Sequence, residues 1–388
     1  MSEIEHKAYQ SLQKLIHYVE AEGYAGYDPY DAMNSPILRW LSFNNRWLRI
    51  SFTQALRRLP WNLRPVLLIN KGLNPKALGL FLSGYTRLLA LFKEKETEKK
   101  IRWLFEKLGM LQSRGFSGAC WGYNFPWQNR ERLFPIWTPT IVNSSFVGRA
   151  LIEAYQLAGN QRYLDLARSA CNFILNDLKI MHETPVELCL SYTPYDDERV
   201  YNSNMLGAAF LAHVGVLTGE EPLLTSAKKM TAFVVNGQNP DGSWVYGKDK
   251  TQTWIDIHHT GFVLEALYQY KMLTNDDSLS RAIEKGLEFF VQNFFQKDGR
   301  MMSFLGKPYP VDIHSVQAIV TLVKLRAVQD HSDLLEKAVS WIIENMQHER
   351  GYFFYRQGRW FNNKIPFMRW AQAWAFHALT AYLKNLRD

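Results

Sequence analysis

The sequence predicts an all-α protein in which six helical hairpins close into a ring. Three observations support this prediction. Apolar helices that begin with a polar cluster recur at a nearly constant interval, a second helix with one polar face follows each of them, and a loop rich in glycine and aromatic residues ends most pairs. The chain of 388 residues is 47% hydrophobic, which is enough for one large core.

The first helix of each pair is apolar on nearly every side, which is typical of a helix buried between others. Five of these helices start at nearly equal intervals along the chain, at Asn143, Asn202, His259, Ser315 and Trp370. A sixth segment, which fits the pattern more loosely, starts at Asn74. So steady an interval indicates a repeated unit, and stacking such units side by side buries a continuous core.

The second helix of each pair has apolar residues at spacings of three and four, with charged residues on the other face. These segments are residues 95–111, 161–178, 221–235, 277–295 and 332–346. We therefore expect the first helices to form an inner layer and the second helices a half-exposed outer layer. The loops after the outer helices predict tight turns and short β-hairpins at the mouth of the ring.

Composition excludes several classes of protein. The balance of hydrophobic and charged residues rules out a disordered chain, and Cys120, Cys171 and Cys189 are too few for a disulfide framework. No apolar run reaches the length of about 18 residues that a membrane span needs, and no signal peptide is expected. We therefore expect a reduced, cytoplasmic protein. Its net charge of +8 and its 14% aromatic residues suit an anionic partner.

This architecture, over residues 74–388, resembles the α/α toroid, here an (α/α)6 toroid. Terpenoid cyclases, protein prenyltransferases and many glycoside hydrolases, polysaccharide lyases and sugar epimerases have this fold. The segment Asn-Pro-Asp-Gly-Ser-Trp at residues 239–244 is similar to the turn motif of cyclase and prenyltransferase repeats. Such turns also occur in the carbohydrate-active toroids. The chain is also similar to bacterial and archaeal proteins associated with surface-polysaccharide biosynthesis.

The strongest candidate for chemistry is a repeated Asp-Ile-His. Asp256 and His258 form the first copy, and Asp312 and His314 form the second copy one repeat interval later. Because this spacing equals the repeat, the four side chains should occupy equivalent places on neighbouring inner helices. Two carboxylates at a cavity mouth divide into acid and base when their environments differ, and histidines titrate near neutral pH. We predict these four residues as catalytic. The structural alternative is that the aspartates cap helices and the histidines bind loop carbonyls.

The same motif has a metal-binding interpretation, because two Asp and two His side chains offer four ligands. The protein prenyltransferases, which the fold resembles, hold zinc with an Asp and a Cys two residues apart and a distant His. His258 stands where that Cys would be, so no thiolate is present. The sequence therefore predicts a site without a metal. It also predicts no cofactor, because it contains no P-loop, GxSxG or HExxH motif.

Other polar and aromatic residues near the starts of the inner helices are predicted to contact substrate. They are Trp121, Tyr123, Trp137, Asn143, Asp196, Tyr201, Asn202, Asn204, Trp254, His259 and Arg369. Aromatic rings stack on sugar faces, and Asn204 lies beyond the helix cap and needs another partner. Arg369 falls where His314 stands in its repeat, so its guanidinium could clamp a carboxylate or phosphate. Helix caps, a hydrophobic lid or surface ion pairs are the structural alternatives. Asp197 and Glu198 are interpreted as a solvated acidic loop.

Residues 1–73 do not fit the repeat and are predicted to form an N-terminal helical extension, with the toroid domain spanning residues 74–388. Within the extension, residues 38–64 are basic and aromatic and contain no acidic residue. One interpretation is an interfacial helix on an anionic membrane. The other is a helix packed across one end of the ring with its arginines in solvent.

Together these features predict a carbohydrate-active enzyme, either a hydrolase, a lyase or a uronate epimerase. The expected substrate is an acidic polysaccharide or a lipid-linked oligosaccharide, because basic charge suits an acidic glycan and aromatic loops suit sugar rings. A role in surface-polysaccharide biosynthesis is expected, at the inner face of the membrane if residues 38–64 bind lipid. Nucleic-acid binding is not expected, because the positive charge is not concentrated along the repeats.

Two alternatives stay open on the sequence alone. A relative of terpenoid cyclases or prenyltransferases would share the ring but enclose an apolar cavity, and the acidic motifs of those enzymes, DxDD and DDxxD, are absent. A non-catalytic glycan-binding scaffold would share the charge and the aromatic loops. Its binding would survive replacement of Asp256 and Asp312 by asparagine.

Overall fold

The computed structural model describes residues 2–387, which form fourteen α-helices and seven short β-strands. The helices are α1 (Glu3–Ala21), α2 (Pro36–Leu41), α3 (Arg46–Arg58), α4 (Pro75–Phe92), α5 (Lys95–Met110), α6 (Ile141–Ala158), α7 (Gln161–Asn176), α8 (Tyr201–Thr218), α9 (Glu221–Val235), α10 (Ile257–Thr274), α11 (Ser280–Phe294), α12 (Gln317–Lys324), α13 (Ser332–Met346) and α14 (Ala373–Asn385). The strands are β1 (Trp127–Gln128), β2 (Leu133–Phe134), β3 (Ile180–Glu183), β4 (Leu188–Leu190), β5 (Val311–Asp312), β6 (Arg356–Gln357) and β7 (Asn362–Asn363). None of these helices combines the length and the hydropathy that crossing a bilayer requires.

Six helices form a closed inner ring. α4, α6, α8, α10, α12 and α14 each contact the next helix in this order, and α14 also contacts α4, which closes the circle. Their side chains share one hydrophobic core with those of the outer helices. The structure is an (α/α)6 toroid and confirms the predicted fold class.

The outer layer also consists of six helices. α5, α7, α9, α11 and α13 each pack on the inner helix that precedes them. The sixth outer helix is α1, which packs against α13 and α14 and buries Ala8, Leu12, Leu15 and Val19 in the common core. The packing therefore differs from the predicted division at residue 73. That division separated α1 from the ring, whereas α1 completes the hairpin of α14 from the other end of the chain.

The inner helices all begin at the same end of the ring. The side chains of Asn74, Thr140 and Asp256 each accept a hydrogen bond from a backbone N–H in the first turn of the helix that follows. At the other end, Gly159 and Gly219 adopt left-handed backbone angles (φ 67° and 73°), which end α6 and α8 without steric strain. The positive ends of the inner helices therefore point to one mouth.

Short antiparallel hairpins surround this mouth. β1 pairs with β2, β3 pairs with β4, and β6 lies between β5 and β7. Asp312, the last residue of β5, pairs with Arg356 on β6 and directly precedes the turn that leads into α12. The hairpins predicted from the loop sequences are present and hold side chains beside the first turns of the inner helices.

The segment between α1 and α4 lies beside the start of α14. The backbone of Gly26 pairs with that of Gly72, and the carbonyl of Tyr27 accepts from the N–H of Met368. A small second core holds the segment together and consists of Ala32, Met33, Leu38, Leu56 and Ile69. α2 and α3 pack on this core with one side, so most of their remaining surface faces solvent.

A buried network of ion pairs joins this segment to the ring. Asp28 accepts two hydrogen bonds from Arg369, at 2.6 Å from Nε and 2.8 Å from Nη2. Asp31 accepts from Nε of Arg64 at 2.7 Å, and Nη2 of Arg64 donates to the carbonyl of Asp28. All four side chains are buried. Each charge in the network therefore depends on its partner for compensation.

A polar cluster fills the interior at the far end of the ring. Glu265 on α10 accepts from Nζ of Lys324 at 3.0 Å and from the hydroxyl of Thr321 at 3.2 Å. It also accepts from the side-chain amide of Gln317, and all three donors belong to or border α12. These contacts tie two neighbouring inner helices together away from water.

We expect Glu265→Ala to lower the free energy of unfolding by about 2 kcal/mol, because it removes the buried carboxylate that pairs with the half-buried Lys324 ammonium. Urea denaturation measures the loss. The double variant Glu265→Ala/Lys324→Met removes both charges and should recover much of it. Equal stability of the single variant and the wild type would contradict this view of the cluster.

The buried His213 on α8 should make the fold sensitive to acid. Its ring lies 3.3 Å from the amide of Gln156 and 3.1 Å from that of Gln269, and burial lowers its pKa from 6.5 to about 4. The unfolded chain therefore binds a proton to this residue at higher pH than the folded chain. The stability that neutral His213 contributes above pH 6.5 is lost as the pH falls toward 4.

Between pH 7 and pH 5, we expect the wild type to lose about 2 kcal/mol more of its unfolding free energy than His213→Gln does. Glutamine keeps a hydrogen-bonding side chain but cannot be protonated. Urea denaturation of both proteins at the two pH values provides the measurement. Parallel losses in the two proteins would show that His213 does not control the acid response.

Candidate active site

The first turn of α10 brings the first Asp-Ile-His copy together. Asp256 caps the helix, and its Oδ1 accepts from the backbone N–H of His259 at 2.9 Å. Oδ2 lies 2.6 Å from Nδ1 of the His259 ring, and Oδ1 lies 3.1 Å from Nδ1 of His258. One carboxylate therefore holds both neighbouring imidazoles.

These contacts determine which ring nitrogen of His259 points its hydrogen at Asp256. A carboxylate oxygen can only accept, so Nδ1 of His259 carries a hydrogen, and Nε2 is the nitrogen that presents a lone pair when the ring is neutral. Burial alone would raise the pKa of Asp256, but His258 and His259 hold it well below its ordinary value. Burial lowers the pKa of His258 to about 3. At neutral pH the group contains an ionised Asp256 beside a neutral His258.

The second copy of the motif meets the first at the start of the neighbouring inner helix. The ring centroids of His258 and His314 are 4.7 Å apart, with the planes nearly perpendicular. Trp370 stacks on His314 at 4.2 Å, and its carbonyl lies 3.4 Å from Nδ1 of that histidine. Burial holds the pKa of His314 well below its ordinary value. Two imidazoles from neighbouring repeats therefore stand side by side, and both are held in the neutral form.

Asp312 is not a free acid that faces Asp256. Its Oδ1 accepts from the indole of Trp370 at 2.6 Å, and its Oδ2 accepts from Nε of Arg356 at 2.8 Å. Oδ1 also caps the turn through the N–H of His314 at 3.1 Å. The expectation that the two carboxylates divide acid and base work is therefore corrected. Both carboxylates are occupied by donors from their neighbours.

Aromatic rings from three inner helices pack together beneath these histidines. The centroids of Phe146, Phe262 and Trp374 are 5.3 to 5.4 Å apart. Phe262 also lies 6.0 Å from His258, and Trp374 lies 5.0 Å from His314. Because α6, α10 and α14 supply the three rings, they form a floor across the interior of the toroid.

Lys76, in the first turn of α4, places its ammonium on this floor. Nζ lies 4.3 Å from the ring centroid of Phe146, 5.2 Å from that of Phe262 and 5.4 Å from that of Trp374. The residue is only 4% exposed, and no carboxylate among residues 2–387 forms an ion pair with it. Burial, followed by the charge of Arg369, holds the pKa of Lys76 well below its ordinary value. Sequence reasoning missed this residue, because a lysine after Asn-Pro resembles an exposed helix start.

Several buried polar atoms in this region also have no partner among residues 2–387. They are both side-chain amide atoms of Asn143, Oδ1 of Asn202 and the indole nitrogen of Trp374. Buried polar groups are nearly always hydrogen-bonded, so unpaired ones at the helix starts indicate sites for water or for ligand hydroxyls. Asn143 and Asn202 are predicted substrate contacts, and both are buried with these polar atoms unpaired among residues 2–387.

Another wall of the site is aromatic. Tyr246 stacks on Trp254 at 4.3 Å and contacts the ring of His259 edge-on at 4.7 Å. Trp254 and His259, both predicted as substrate contacts, therefore lie together. Tyr246 is a member of this wall that sequence reasoning missed. Its place two residues after a Gly-Ser-Trp turn was the available signal.

Glu198 lies close enough to Tyr246 that its charge, after burial, contributes to a raised tyrosine pKa. Its own carboxyl accepts from the amide of Asn129 at 3.0 Å. Burial, followed by the charge of Asp196, raises the pKa of Glu198 to about 7. The interpretation as a solvated acid holds for exposed Asp197, which pairs with a lysine, but it is wrong for Glu198. Glu198 is a carboxylic acid that holds its proton near neutral pH.

Four predicted substrate contacts have structural partners instead. Asp196 accepts three backbone N–H bonds within its own loop. Asn204 exchanges hydrogen bonds with the backbone of Leu190, which ties α8 to β4. Tyr201 stacks on a phenylalanine of the outer helix α9, and Trp121 is fully buried with its indole bound to a backbone carbonyl of α5. The hydrogen-bonding groups of Asp196, Asn204 and Trp121 are thus already engaged.

Arg369 lies beside the site, but its guanidinium is already bound to Asp28. Burial alone would lower the pKa of Arg369, but Asp28 raises it above its ordinary value. The guanidinium also lies 4.8 Å from the ring of Tyr123 and 5.1 Å from that of Trp370. The carboxylate clamp expected of Arg369 is therefore occupied by this chain's own aspartate. Trp137 is half-buried, and no ring contact among residues 2–387 joins it to the histidines.

Asp256, His258 and His259 form a group whose ligand atoms, within 4.8 Å of one another, could hold a metal ion. The cysteines offer no thiolate for such a site. Burial raises the thiol pKa of both Cys120 and Cys189 to about 12, and that of Cys171 further. A metal at the helix start would thus bind carboxylate oxygen and imidazole nitrogen only, from these residues.

A separate cavity of about 230 Å³ opens beside α1, where its lining includes Tyr18, Lys71, Arg350 and Tyr352. None of the predicted site residues lines it. We place the candidate site at the histidines, because shifted pKa values, unpaired polar atoms and aromatic rings converge there.

A sequence comparison identifies the chain as a carbohydrate-active enzyme. Residues 69–301 match the sequence profile of the GH127 catalytic domain, described as β-L-arabinofuranosidase. The match covers more than half of the 388 residues, and the chain belongs to this family. It includes Asp256 and His258, whereas Asp312 and His314 follow it. The family match favours neither a terpenoid cyclase nor a scaffold without catalysis. A search of curated proteins returns no match.

Solved structures show the same toroid. The GH76 α-mannanase of Bacteroides thetaiotaomicron is 15% identical, with a TM-score of 0.61 over 81% of this chain and 88% of that one. Cellobiose 2-epimerase of Bacillus thermoamylovorans is 12% identical, with a TM-score of 0.63 over 80% and 87%. An unsaturated glucuronyl hydrolase specific for heparin is 12% identical, with a TM-score of 0.59 over 82% and 89%. At this identity the likeness establishes the fold.

Proposed function

We propose that this enzyme hydrolyses a glycosidic bond in an acidic polysaccharide or a lipid-linked oligosaccharide. The observation that carries the proposal is the cluster of His258, His259 and His314 around ionised Asp256, above an aromatic floor at the mouth of a GH127 toroid. Imidazoles move protons, and aromatic rings pack against sugar faces. The unpaired polar atoms at the helix starts supply contacts for sugar hydroxyls.

The proposed reaction needs one proton donor and one proton acceptor. Glu198, protonated near neutral pH, gives its proton to the glycosidic oxygen as the bond to the leaving sugar breaks. Nε2 of His259 takes a proton from the attacking water, whose oxygen forms the new bond to the sugar carbon. Asp256 then stabilises the imidazolium through Nδ1. Tyr246 connects the two sides of the site, because it contacts His259 and lies within reach of the charge of Glu198.

Lys76 supports an acidic sugar as the substrate. Arg369 is paired with Asp28, whereas the Lys76 side chain stands beside the histidines without an ion-pair partner among residues 2–387. A uronate carboxylate bound there would raise the lowered pKa of Lys76 and pair with the ammonium that forms. The site is therefore suited to a sugar that carries a carboxylate near the reacting carbon.

A uronate epimerase or lyase is the second candidate, and the same lysine favours it. Either reaction begins with removal of the proton next to a carboxylate. His258 or His314 would be the base, and Lys76 beside them would face the carboxylate as negative charge develops.

If the substrate is linked to a lipid, the proposal also implies where in the cell the enzyme acts. A saccharide attached to a lipid lies at a membrane surface, so the enzyme would contact that surface through residues 38–64. Surface-polysaccharide biosynthesis at the inner face of the membrane is the corresponding cellular role.

A substrate panel separates the reactions. We would incubate the enzyme with uronate-containing oligosaccharides, with matched neutral oligosaccharides and with p-nitrophenyl β-L-arabinofuranoside. New reducing ends indicate hydrolysis, absorbance of an unsaturated uronate indicates elimination, and deuterium uptake from heavy water without cleavage indicates epimerisation. Turnover of uronate substrates with new reducing ends supports the proposal. Turnover of neutral substrates alone would overturn its acidic specificity.

We expect Lys76→Met to weaken binding of uronate-containing oligosaccharides by about 10- to 100-fold, because it removes a charge-assisted hydrogen bond. Binding of matched neutral oligosaccharides should change much less, since methionine keeps the apolar stem on the aromatic floor. Calorimetric titration measures both affinities. Equal loss for acidic and neutral ligands would show that Lys76 supports the site's shape and does not recognise a carboxylate.

A further inference from the structure

We propose that a composite surface beside the candidate site docks onto an anionic lipid bilayer. This docking face combines part of residues 38–64 with the tip of the β6–β7 hairpin, residues 358–361. Its aromatic members are Trp40, Phe43, Trp47, Trp61, Trp360 and Phe361, and its basic members are Arg39, Arg46, Arg58 and Arg359. The inference rests on the lipid-linked form of the proposed function and names the partner surface.

The aromatic members are far more exposed than such side chains usually are. Trp360 is 85% exposed, Phe43 is 75% exposed and Trp40 is 73% exposed. Single exposed apolar residues are ordinary, but a cluster of tryptophans and phenylalanines marks an interaction surface. Tryptophan in particular prefers the boundary between lipid headgroups and acyl chains, where its ring is buried and its N–H stays hydrated.

The face is built by the tertiary structure from two distant stretches of chain. The amide of Asn363 on β7 donates to the carbonyl of Leu59 at 2.8 Å and to that of Arg57 at 3.3 Å. Asn363 is itself buried, so these bonds fix the hairpin against the end of α3. The tip of the hairpin therefore extends the exposed surface of residues 38–64, which the sequence-based interpretation of a membrane helix did not include.

The charge of the face points to anionic lipid. No Asp or Glu occurs between residues 32 and 93, and Arg39, Arg46 and Arg58 have no ion-pair partner within residues 2–387. The guanidinium of Arg46 lies 4.7 Å from the ring of Trp47, and that of Arg359 lies 5.1 Å from the ring of Trp360. Each pair places a cation for a lipid phosphate next to a ring for the acyl boundary.

The same charge argues against a second copy of this chain as the occupant. A symmetric dimer would bring the same face of two molecules together. The face carries four arginines and no carboxylate of its own, so the two copies would place like charges opposite each other. An anionic bilayer instead offers many phosphates and an apolar layer on one surface.

The docking face borders the candidate site. Arg356, at the base of the hairpin, binds Asp312, while the tip of the hairpin is exposed. On the other side, Arg57 donates to the hydroxyl of Tyr30 at 2.6 Å, and the ring of Tyr30 contacts that of Trp370 at 5.4 Å. Docking would therefore hold the site close to headgroups, where a lipid-linked saccharide is located.

Vesicle co-sedimentation of the full-length protein tests the inference without any saccharide. We would compare vesicles of pure phosphatidylcholine with vesicles of two parts phosphatidylcholine to one part phosphatidylglycerol, at low and at high salt. We expect at least about tenfold tighter binding to the anionic vesicles, and weaker binding at high salt, since surface charge attracts each arginine. Equal binding to both vesicles, or no binding to either, would overturn the inference.

Variants locate the binding surface. Trp40→Ala/Trp47→Ala and Trp360→Ala/Phe361→Ala alter the two stretches independently, and each should reduce binding at least about tenfold. Arg39→Gln/Arg46→Gln should reduce the preference for anionic vesicles. The matched controls are Met272→Ala, an exposed apolar residue at the far end of α10, and Arg114→Gln/Arg281→Gln, which changes the charge equally outside the face. Loss of binding in the controls but not in the face variants would refute the assignment.

Two further measurements distinguish lipid docking from self-association and from the proposed reaction. Light scattering reports self-association, and a dimer that Trp360→Ala/Phe361→Ala abolishes would show that the face binds a second copy and would overturn the lipid assignment. Turnover of a soluble oligosaccharide should be unchanged in the face variants, because these side chains are not in the candidate site. Vesicle binding without glycan turnover would uphold the docking face while the proposed reaction fails. Turnover without vesicle binding would overturn the docking face while the proposed reaction stands.

Discussion

Replacing Asp256 with asparagine is expected to reduce glycan turnover by about 10³-fold, within the range that general acid–base groups contribute. The wild-type carboxylate accepts from the backbone and the ring of His259 and lies 3.1 Å from the ring of His258. An asparagine amide has one acceptor oxygen and a donating nitrogen, so it cannot serve both imidazoles. The tautomer of His259 that presents Nε2 as a base would lose its stabilisation. Steady-state kinetics on the substrate found with the panel measures the loss.

Asp312→Asn is the matched control for this variant. Asp312 also caps a turn and also touches the motif, but its oxygens are held by Trp370 and Arg356 and bind no imidazole ring. We expect a smaller loss from this change, about tenfold. Thermal melting of both variants shows whether either loss comes from unfolding. Equal kinetic losses in the two folded variants would contradict the orienting role assigned to Asp256.

Asp28→Ala is expected to lower the free energy of unfolding by about 4 kcal/mol, because it leaves the Arg369 guanidinium buried without its carboxylate. Asp28 holds Arg369 through two hydrogen bonds and joins the N-terminal segment to the start of α14. Urea denaturation measures the effect. Loss of the network should also loosen the segment, which hydrogen exchange at residues 26–35 would report.

The double variant Asp28→Ala/Arg369→Met isolates the ion pair. If the cost of Asp28→Ala is mainly an uncompensated charge, the double variant should be clearly more stable than Asp28→Ala alone. A double variant as unstable as the sum of the two single changes would show that packing, and not charge, holds the segment. Asp197→Ala serves as a surface control, since that carboxylate is exposed and should cost less than about 1 kcal/mol.

Local patterns along the chain are enough to predict the ring. The nearly constant interval between repeats, the all-round apolar first helices and the amphipathic second helices are local patterns, and each is sufficient to predict its element. The repeat also placed Asp256, His258, Asp312 and His314 on neighbouring inner helices, because equal spacing along the chain means equivalent positions in a ring. The contact between His258 and His314 follows that expectation.

The tertiary structure decided which groups are free to act. The partners of Arg369 and Asp312 lie 341 and 44 residues away along the chain, at Asp28 and Arg356. Charge pairing at that distance leaves no trace in a local pattern, so both residues looked available for substrate. Lys76 shows the opposite case, since only the packing of three aromatic rings around it makes a helix-start lysine part of a site.

The identity of the sixth outer helix was also decided by contacts between distant parts of the chain. α1 carries an ordinary amphipathic pattern, but its partner α14 lies at the other end of the chain. The apolar face of α14 must be covered by some helix, and α1 covers it. Periodicity predicts which faces must be buried. Only the folded ring decides which distant segment buries them, and therefore which charged side chains meet at its mouth.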